Sequence, residues 1–175
     1  VDCTGHGVPG AFMSMLGHGA LDDAVLRQGL TEPDQILKYL DRNIQEMLKQ
    51  ESSDNKDGMD MAVCVIDQKA QKLCFSGAKR PLIYFQNNEI HRIKGDKYGI
   101  GGISTTGDKQ FQKHEIALTT PTSFYVFSDG FPDQFGGENG KKYMVGKFRN
   151  TLESIQSLPI KEQQQALEQE LTNWM

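Results

Sequence analysis

The sequence predicts an α+β fold rather than a chain of alternating βαβ units. Two helix-like segments come first, a run of short β-rich segments follows, and two more helices close the chain, an order that segregates helices from strands. Two of the strand-like segments, "AVCVI" and "FYVFS", are apolar at nearly every position, the pattern of strands covered on both faces. At 175 residues the chain has the size of one domain that buries its own core.

The first helix is expected over Val8 to about Leu26. Pro9 suits a first turn, and Phe12, Met15, Leu16 and Gly19 recur at helical spacing as its apolar face. Gly17, Gly19 and Ala20 would let it lie close to a sheet. The second helix is more sharply marked: Thr31 is positioned to cap it, Pro33 and Asp34 suit its first turn, and Ile36, Leu37, Leu40, Ile44, Met47 and Leu48 form the stripe. It should end near Gln50, where the polar stretch "ESSDNKDG" forms a loop.

The period then changes. "MDMAVCVID", "KLCFSGA", "PLIYFQ" and "EIHRI" are rich in β-branched and aromatic residues and are separated by turn residues, including "QNN", so they read as an antiparallel meander. A glycine-rich loop, "KGDKYGIGGISTTGD", leads to strands at "KHEIALT" and "SFYVFSDG". Two helices, Tyr143 to Ile155 and Pro159 to Met175, complete the chain, the last with Ala166, Leu167, Leu171 and Trp174 as its apolar stripe.

Composition narrows the function. A net charge of −4 argues against a phosphate-backbone binder, so nucleic acid is not an expected partner. There is no apolar run of membrane-spanning length and no signal-peptide layout at the start, so this segment makes no expected membrane contact. Cys3, Cys64 and Cys74 form neither a CxxC pair nor an even-numbered framework, which suits a reducing, cytoplasmic setting. If Asp67 to Gln71 is a hairpin loop, Cys64 and Cys74 face each other across paired strands and a bridge is conceivable; two small buried hydrophobes are the alternative.

Two places combine an acid with glycine at a strand end: "VDCTGHG" with Asp2, and "FSDGFPDQFGG" with Asp129. A strand fixes the backbone of such an Asp while its carboxylate points into the space beyond, good placement for a hard divalent ion; an ordinary Asp-Gly turn is the competing reading. His6, between two glycines, is exposed enough to donate a proton to a leaving group, or is simply a solvated loop histidine.

The stretches "DCTGHGVPGAFMSMLG", "DGMDMAVCVID", "LCFSGAKRPL", "KGDKYGIGG" and "FSDGFPDQFGG", in that order, resemble the successive motifs of bacterial SpoIIE-type serine phosphatases of the metal-dependent PPM (PP2C-like) family. The resemblance spans Val1 to about Phe148, and its first and last motifs are the specific ones. It implies an αββα four-layer sandwich: two antiparallel sheets face to face, flanked by helix pairs. It also implies hydrolysis of phosphoserine or phosphothreonine on a regulatory protein, by a water bridging two Mn2+ or Mg2+ ions.

Carried over by position, Asp2 resembles the bridging metal carboxylate, Cys3 the residue offering its backbone carbonyl, and Asp129 a second metal carboxylate. His6 lies in the turn where relatives are suggested to hold a general acid. Asp60 is expected to face solvent and Asp133 to close a turn. Lys79 and Arg80 suggest either a solvated basic loop or positive charge for a phosphorylated partner. Relative to the family pattern, the single domain over 1–175 lacks a first GGD-type strand and a final Asp-Asp-x-Thr strand, so it is expected to be incomplete at both termini.

The resemblance names as partners a phosphorylated STAS-type regulator and an upstream sensor domain, and exposed sheet edges invite pairing with a second copy. A catalytically impaired module that binds a signalling partner is the alternative function. A hydrolase of small phosphoesters has no nucleotide fingerprint to support it.

Overall fold

The computed structural model describes residues 1–103 and 108–175; the "STTG" part of the expected glycine-rich loop lies outside them. Nine strands and four α-helices occur among the described residues. In chain order they are β1 (Asp2–Cys3), α1 (Gly7–Asp22), α2 (Pro33–Met47), β2 (Met59–Asp67), β3 (Lys72–Ala78), β4 (Leu82–Gln86), β5 (Glu89–Ile93), β6 (His114–Ala117), β7 (Thr122–Val126), β8 (Phe135–Gly136), β9 (Lys141–Lys142), α3 (Val145–Ile155) and α4 (Ile160–Trp174). Among the described residues, the strands pair with one another antiparallel throughout. One sheet has the order β1-β2-β3-β6, a second β5-β4-β7, and β8 and β9 make a small hairpin.

Alternation along each strand builds the expected four layers. On β2, Met61, Val63 and Val65 pack with Ile36, Leu37, Leu40 and Ile44 of α2, while Ala62 and Cys64 point to the other side. On β4, Leu82 and Tyr84 join Leu73 and Phe75 of β3 between the sheets, while Ile83 and Phe85 pack outward on Phe148, Leu152 and Ile155 of α3. The fold is thus α1 and α2, first sheet, second sheet, α3 and α4. The "AVCVI" strand does meet a core on each face, although Ala62 to Val65 are half-buried rather than enclosed and Ile66 is exposed. In "FYVFS", Val126 is 47% exposed because β7 is the edge of its sheet.

The helices differ in how well their sequences foretell them. In α2, Ile36, Leu37, Leu40 and Ile44 are buried as expected, but the N-cap is Glu32 and carries no side-chain capping bond, so Thr31 does not cap it. In α1 the buried residues are Met13, Gly17 and Ala20, whereas Phe12 and Met15 are exposed. Apolar residues surround this helix, so periodicity alone cannot select its face. Close approach selects it: a Cβ on Gly17 would lie 2.7 Å from Cε of Met59, so this turn of α1 rests on β2. Beyond Asp22 the helix widens into a π turn (Asp23–Arg27), with the Tyr39 hydroxyl donating to Asp23.

Turn chemistry follows the residues. Asp67 Oδ1 accepts from the backbone N–H groups of Lys69 (3.0 Å) and Ala70 (2.9 Å) in the β2–β3 hairpin. Asn87 and Asn88 both take positive φ (53° and 62°) in the two-residue β4–β5 turn, the conformation that asparagine tolerates. The register also decides the cysteine question. Cys64 pairs with Phe75 and Val65 with Cys74, so the two cysteines are one position out of step and point to opposite faces of the sheet. All three cysteines are free thiols.

A buried network ties the glycine-rich segment to α2. Lys109 Nζ donates to Asp41 (2.8 Å) and to the carbonyls of Gly99 (3.0 Å) and Gly101 (2.5 Å), while the Gly101 N–H donates to Asp41 (2.8 Å).

Candidate metal centre

Asp2 and Asp129, 127 positions apart in sequence, converge at one end of the two sheets. Asp2 is held by β1 and pairs directly with Asp60 on β2. Asp129 follows β7, and its carbonyl accepts from the Asp133 N–H at 2.7 Å, so Asp133 closes the turn as expected while its carboxylate takes Lys142 at 2.7 Å.

The guanidinium of Arg80 joins them. It reaches Asp2 Oδ2 at 2.6 Å, Asp129 Oδ2 at 3.1 Å and Asp60 Oδ2 at 3.4 Å, and its side chain is only 13% exposed. The expectation of a solvated basic loop is therefore corrected for Arg80. Lys79 is half-exposed, yet it too is committed, to Asp60 Oδ1 at 3.3 Å. Asp60 itself is corrected: it faces the cluster, with a side chain 25% exposed.

The shared environment splits the two terminal carboxylates. Burial raises the pKa of Asp2, the hydrogen bond shared with Asp129 raises it further, and Arg80 opposes both. Burial also pushes Asp129 upward, but its hydrogen bonds with Asp2 and Arg80 outweigh this and leave it below the ordinary carboxylate value.

The turn beyond β1 is anchored separately. The Thr4 N–H donates to the Gly58 carbonyl at 2.9 Å, and the Thr4 hydroxyl donates to Asp57 and accepts from the Gly58 N–H, both at 3.0 Å. Gly5 and Gly7 take φ of 80° and 62°, values that glycine alone adopts cheaply. His6 between them is exposed, is the N-cap of α1 without a capping bond, and makes no side-chain hydrogen bond among the described residues. Cys3 lies in the strand, and its Sγ is 3.6 Å from the Ser14 hydroxyl.

The donor set suits a hard divalent cation: three carboxylates gather around Arg80, with Lys79 on the far oxygen of Asp60. Among the described residues no three such side chains already close on a common point as a preformed cage; the guanidinium is what assembles them. Its Nε–H is buried without a hydrogen-bond partner among the described residues.

Asp60 and Arg80 are the members that sequence reasoning missed. The available signals were the single acid inside the otherwise apolar strand "MDMAVCVI" and the arginine closing a glycine-containing strand end in "SGAKRP". A third is spatial: a Cβ on Gly99 would lie 2.8 Å from Asp60 Oδ1, so the glycine that stands in "KYGIGG" leaves room for that carboxylate.

The sequence profile of stage II sporulation protein E (SpoIIE) matches residues 1–175. The SiaA-PP2C domain of Pseudomonas aeruginosa superposes with a TM-score of 0.87 at 32% identity, covering 98% of this chain and 66% of that one. The RsbU and RsbW domains of Rv1364c from Mycobacterium tuberculosis give 0.69 at 21% identity, over 95% of this chain and 45% of that one. The PP2C phosphatase domain of SpoIIE from Bacillus subtilis, with a fragment of its regulatory domain, gives 0.66 at 15% identity over 97% and 46%. No curated protein sequence matches the chain. This chain therefore spans just under two thirds of the SiaA-PP2C chain and about half of the other two. With its fold and the whole-length profile match in agreement, the chain belongs to the SpoIIE family and has the fold of a PP2C-type domain.

Proposed function

We propose that this domain is a metal-dependent serine/threonine phosphoprotein phosphatase. The observation that carries the reading is the convergence of Asp2, Asp60 and Asp129 at the sheet ends, in a chain that matches a phosphatase family over its whole length. Asp2, Asp129 and the Cys3 carbonyl are the proposed ligands, for two ions, Mn2+ or Mg2+. Bound there, such ions make hydroxide available near neutral pH and offset charge on the phosphoryl oxygens.

The chain's own residues then have distinct tasks. β1 and the turn after β7 hold the two carboxylates at fixed spacing, and ionised Asp129 supplies negative charge without a proton to lose first. His6, exposed on the glycine turn that follows β1, is the proposed proton donor to the departing serine oxygen. The proposed substrate, carried over from the family resemblance, is a phosphorylated STAS-type regulator in the cytoplasm, with an upstream sensor domain and a second copy as further partners. No helix of the described residues is long and apolar enough to cross a membrane.

The test is phosphate release from a phosphoserine protein with Mn2+, with chelator, and by Asp129→Asn. Release that requires Mn2+ and disappears in the variant is expected. Equal activity of variant and parent would refute the reading. The placement of Arg80 inside the carboxylate cluster favours a second reading, a phosphatase-shaped module that binds a signalling partner without turnover, and persistent inactivity with Mn2+ present would support it.

A further inference from the structure

Arg80 occupies the centre of the carboxylate cluster by construction. A Cβ on Gly77 would lie 2.2 Å from the Arg80 carbonyl oxygen, and one on Gly95 would lie 2.6 Å from the same atom, so two glycines clasp its backbone. The Lys79 N–H donates to the Asp96 carbonyl at 2.9 Å and the Asp96 N–H to the Gly77 carbonyl at 2.7 Å, which pins the turn between β3 and β4. From this fixed base the guanidinium spans carboxylates from β1, β2 and the turn after β7.

The arrangement is costly for an ordinary ion pair. A buried guanidinium loses its hydration, and here its Nε–H finds no partner among the described residues. It nevertheless meets an unusual need, because Asp2 and Asp60 sit directly opposite each other across two strands and like charges so placed repel. The oxygens nearest the guanidinium, Oδ2 of Asp2 and Oδ2 of Asp129, belong to the residues proposed above as metal ligands.

We propose that Arg80 is the resident counter-cation of this cluster: it holds Asp2, Asp60 and Asp129 together in the metal-free protein and competes with a divalent ion for the same oxygens. The inference rests on the metal-binding reading of Asp2 and Asp129. Metal entry requires the guanidinium to give up its contacts with Asp2 and Asp129, so Arg80 weakens metal affinity while it stabilises the empty cluster. Arg80 is thus a positioning residue with a regulatory effect, and any contact that draws its side chain away would raise metal occupancy.

The experiment is calorimetric titration of Mn2+ into the wild type, Arg80→Met and Asp129→Asn, with melting temperatures measured in chelator. Removing one positive charge beside a divalent ion should tighten Mn2+ binding about tenfold in Arg80→Met. The same variant should melt lower than wild type in chelator and gain more from added Mn2+. A merely structural arginine gives the opposite affinity change, since a damaged site binds more weakly.

Unchanged or weaker Mn2+ binding by Arg80→Met, with wild type binding and Asp129→Asn impaired, overturns the inference and leaves the metal reading standing. Mn2+ binding that Asp129→Asn does not alter, or no binding by any of the three proteins, overturns the metal reading and the inference with it. Should Arg80→Met fail to fold, Arg80→Lys carries the same test: one ammonium cannot span three carboxylates, so tighter binding than wild type is expected and unchanged or weaker binding refutes the proposal.

Discussion

Asp2 and Asp60 face each other directly across the β1–β2 pair, and both carboxylates turn toward the Arg80 guanidinium, at 2.6 and 3.4 Å. The register makes Asp60 a neighbour of the proposed metal ligands although no motif singles it out. Asp60→Asn is expected to weaken Mn2+ binding by about threefold or more, because it removes one negative charge beside the ion. Unaltered affinity in calorimetry would restrict Asp60 to its pairs with Lys79 and Arg80.

The raised pKa of Asp2 has a consequence for stability. A carboxyl whose folded-state pKa exceeds its ordinary value of 3.8 binds its proton more tightly in the native state, so ionising it disfavours folding as pH rises through that interval. Asp2→Asn is therefore expected to melt higher than wild type at neutral pH without metal, by roughly 2 °C, with the difference vanishing once pH falls below 3.8. Asp129 has the opposite sign: its lowered pKa contributes stability above the ordinary value that is lost as pH falls through the folded-state value. Thermal melts in chelator across pH 3 to 8 check both, and a destabilised Asp2→Asn at neutral pH would contradict the assignment.

Lys109 and Asp41, 2.8 Å apart and 7% and 8% exposed, form the best-buried ion pair among the described residues. Lys109→Met leaves Asp41 uncompensated and is expected to cost about 3–5 kcal/mol in urea unfolding. The same change releases the Gly99 and Gly101 carbonyls, so the segment that packs on Asp60 loosens too. Replacing both partners with apolar residues should recover much of the loss, since the penalty lies in the orphaned charge.

The end of α4 fastens the segment that follows Asp129. Trp174 donates its indole N–H to the Gln134 carbonyl at 3.0 Å, and its own carbonyl accepts from the Gly137 N–H at 2.6 Å. A Cβ on Gly136 would lie 1.8 Å from that carbonyl oxygen. Gly136→Ala should detach α4 from the β8–β9 hairpin, seen as lost amide protection in both elements while α2 keeps its own. Uniform protection would show that the contact carries little.

Burial pushes the Cys64 thiol up to about 11, so it should resist alkylation at pH 8 in the native state and react on unfolding. Because Cys64 and Cys74 lie on opposite faces of the sheet, mild oxidation should yield no bridge between them, as peptide mass mapping would reveal.

How far the sequence revealed the fold depended on how local each determinant is. The α2 stripe was legible because one clear period dominates it, and the α+β order followed from where the period changes. The face of α1 was not legible, because Phe12 and Met15 are as apolar as Met13 and only the contact of Gly17 with Met59 distinguishes them. The β8–β9 hairpin has strands of two residues each, too short to carry a period. Asp2 and Asp129 were visible because strand-to-glycine transitions mark them within a few residues. Asp60 and Arg80 were not, since their meeting depends on strand register and on the turn that Gly77 and Gly95 permit.

The proposed role of Asp2 and Asp129 is to hold the divalent ion used for phosphate hydrolysis. Anomalous X-ray scattering from Mn2+-soaked crystals tests it most directly. The expected result is manganese in coordination with Oδ2 of Asp2 and Oδ2 of Asp129, with the Arg80 guanidinium withdrawn from both. Manganese bound elsewhere, in a protein that releases phosphate only when Mn2+ is present, would contradict it.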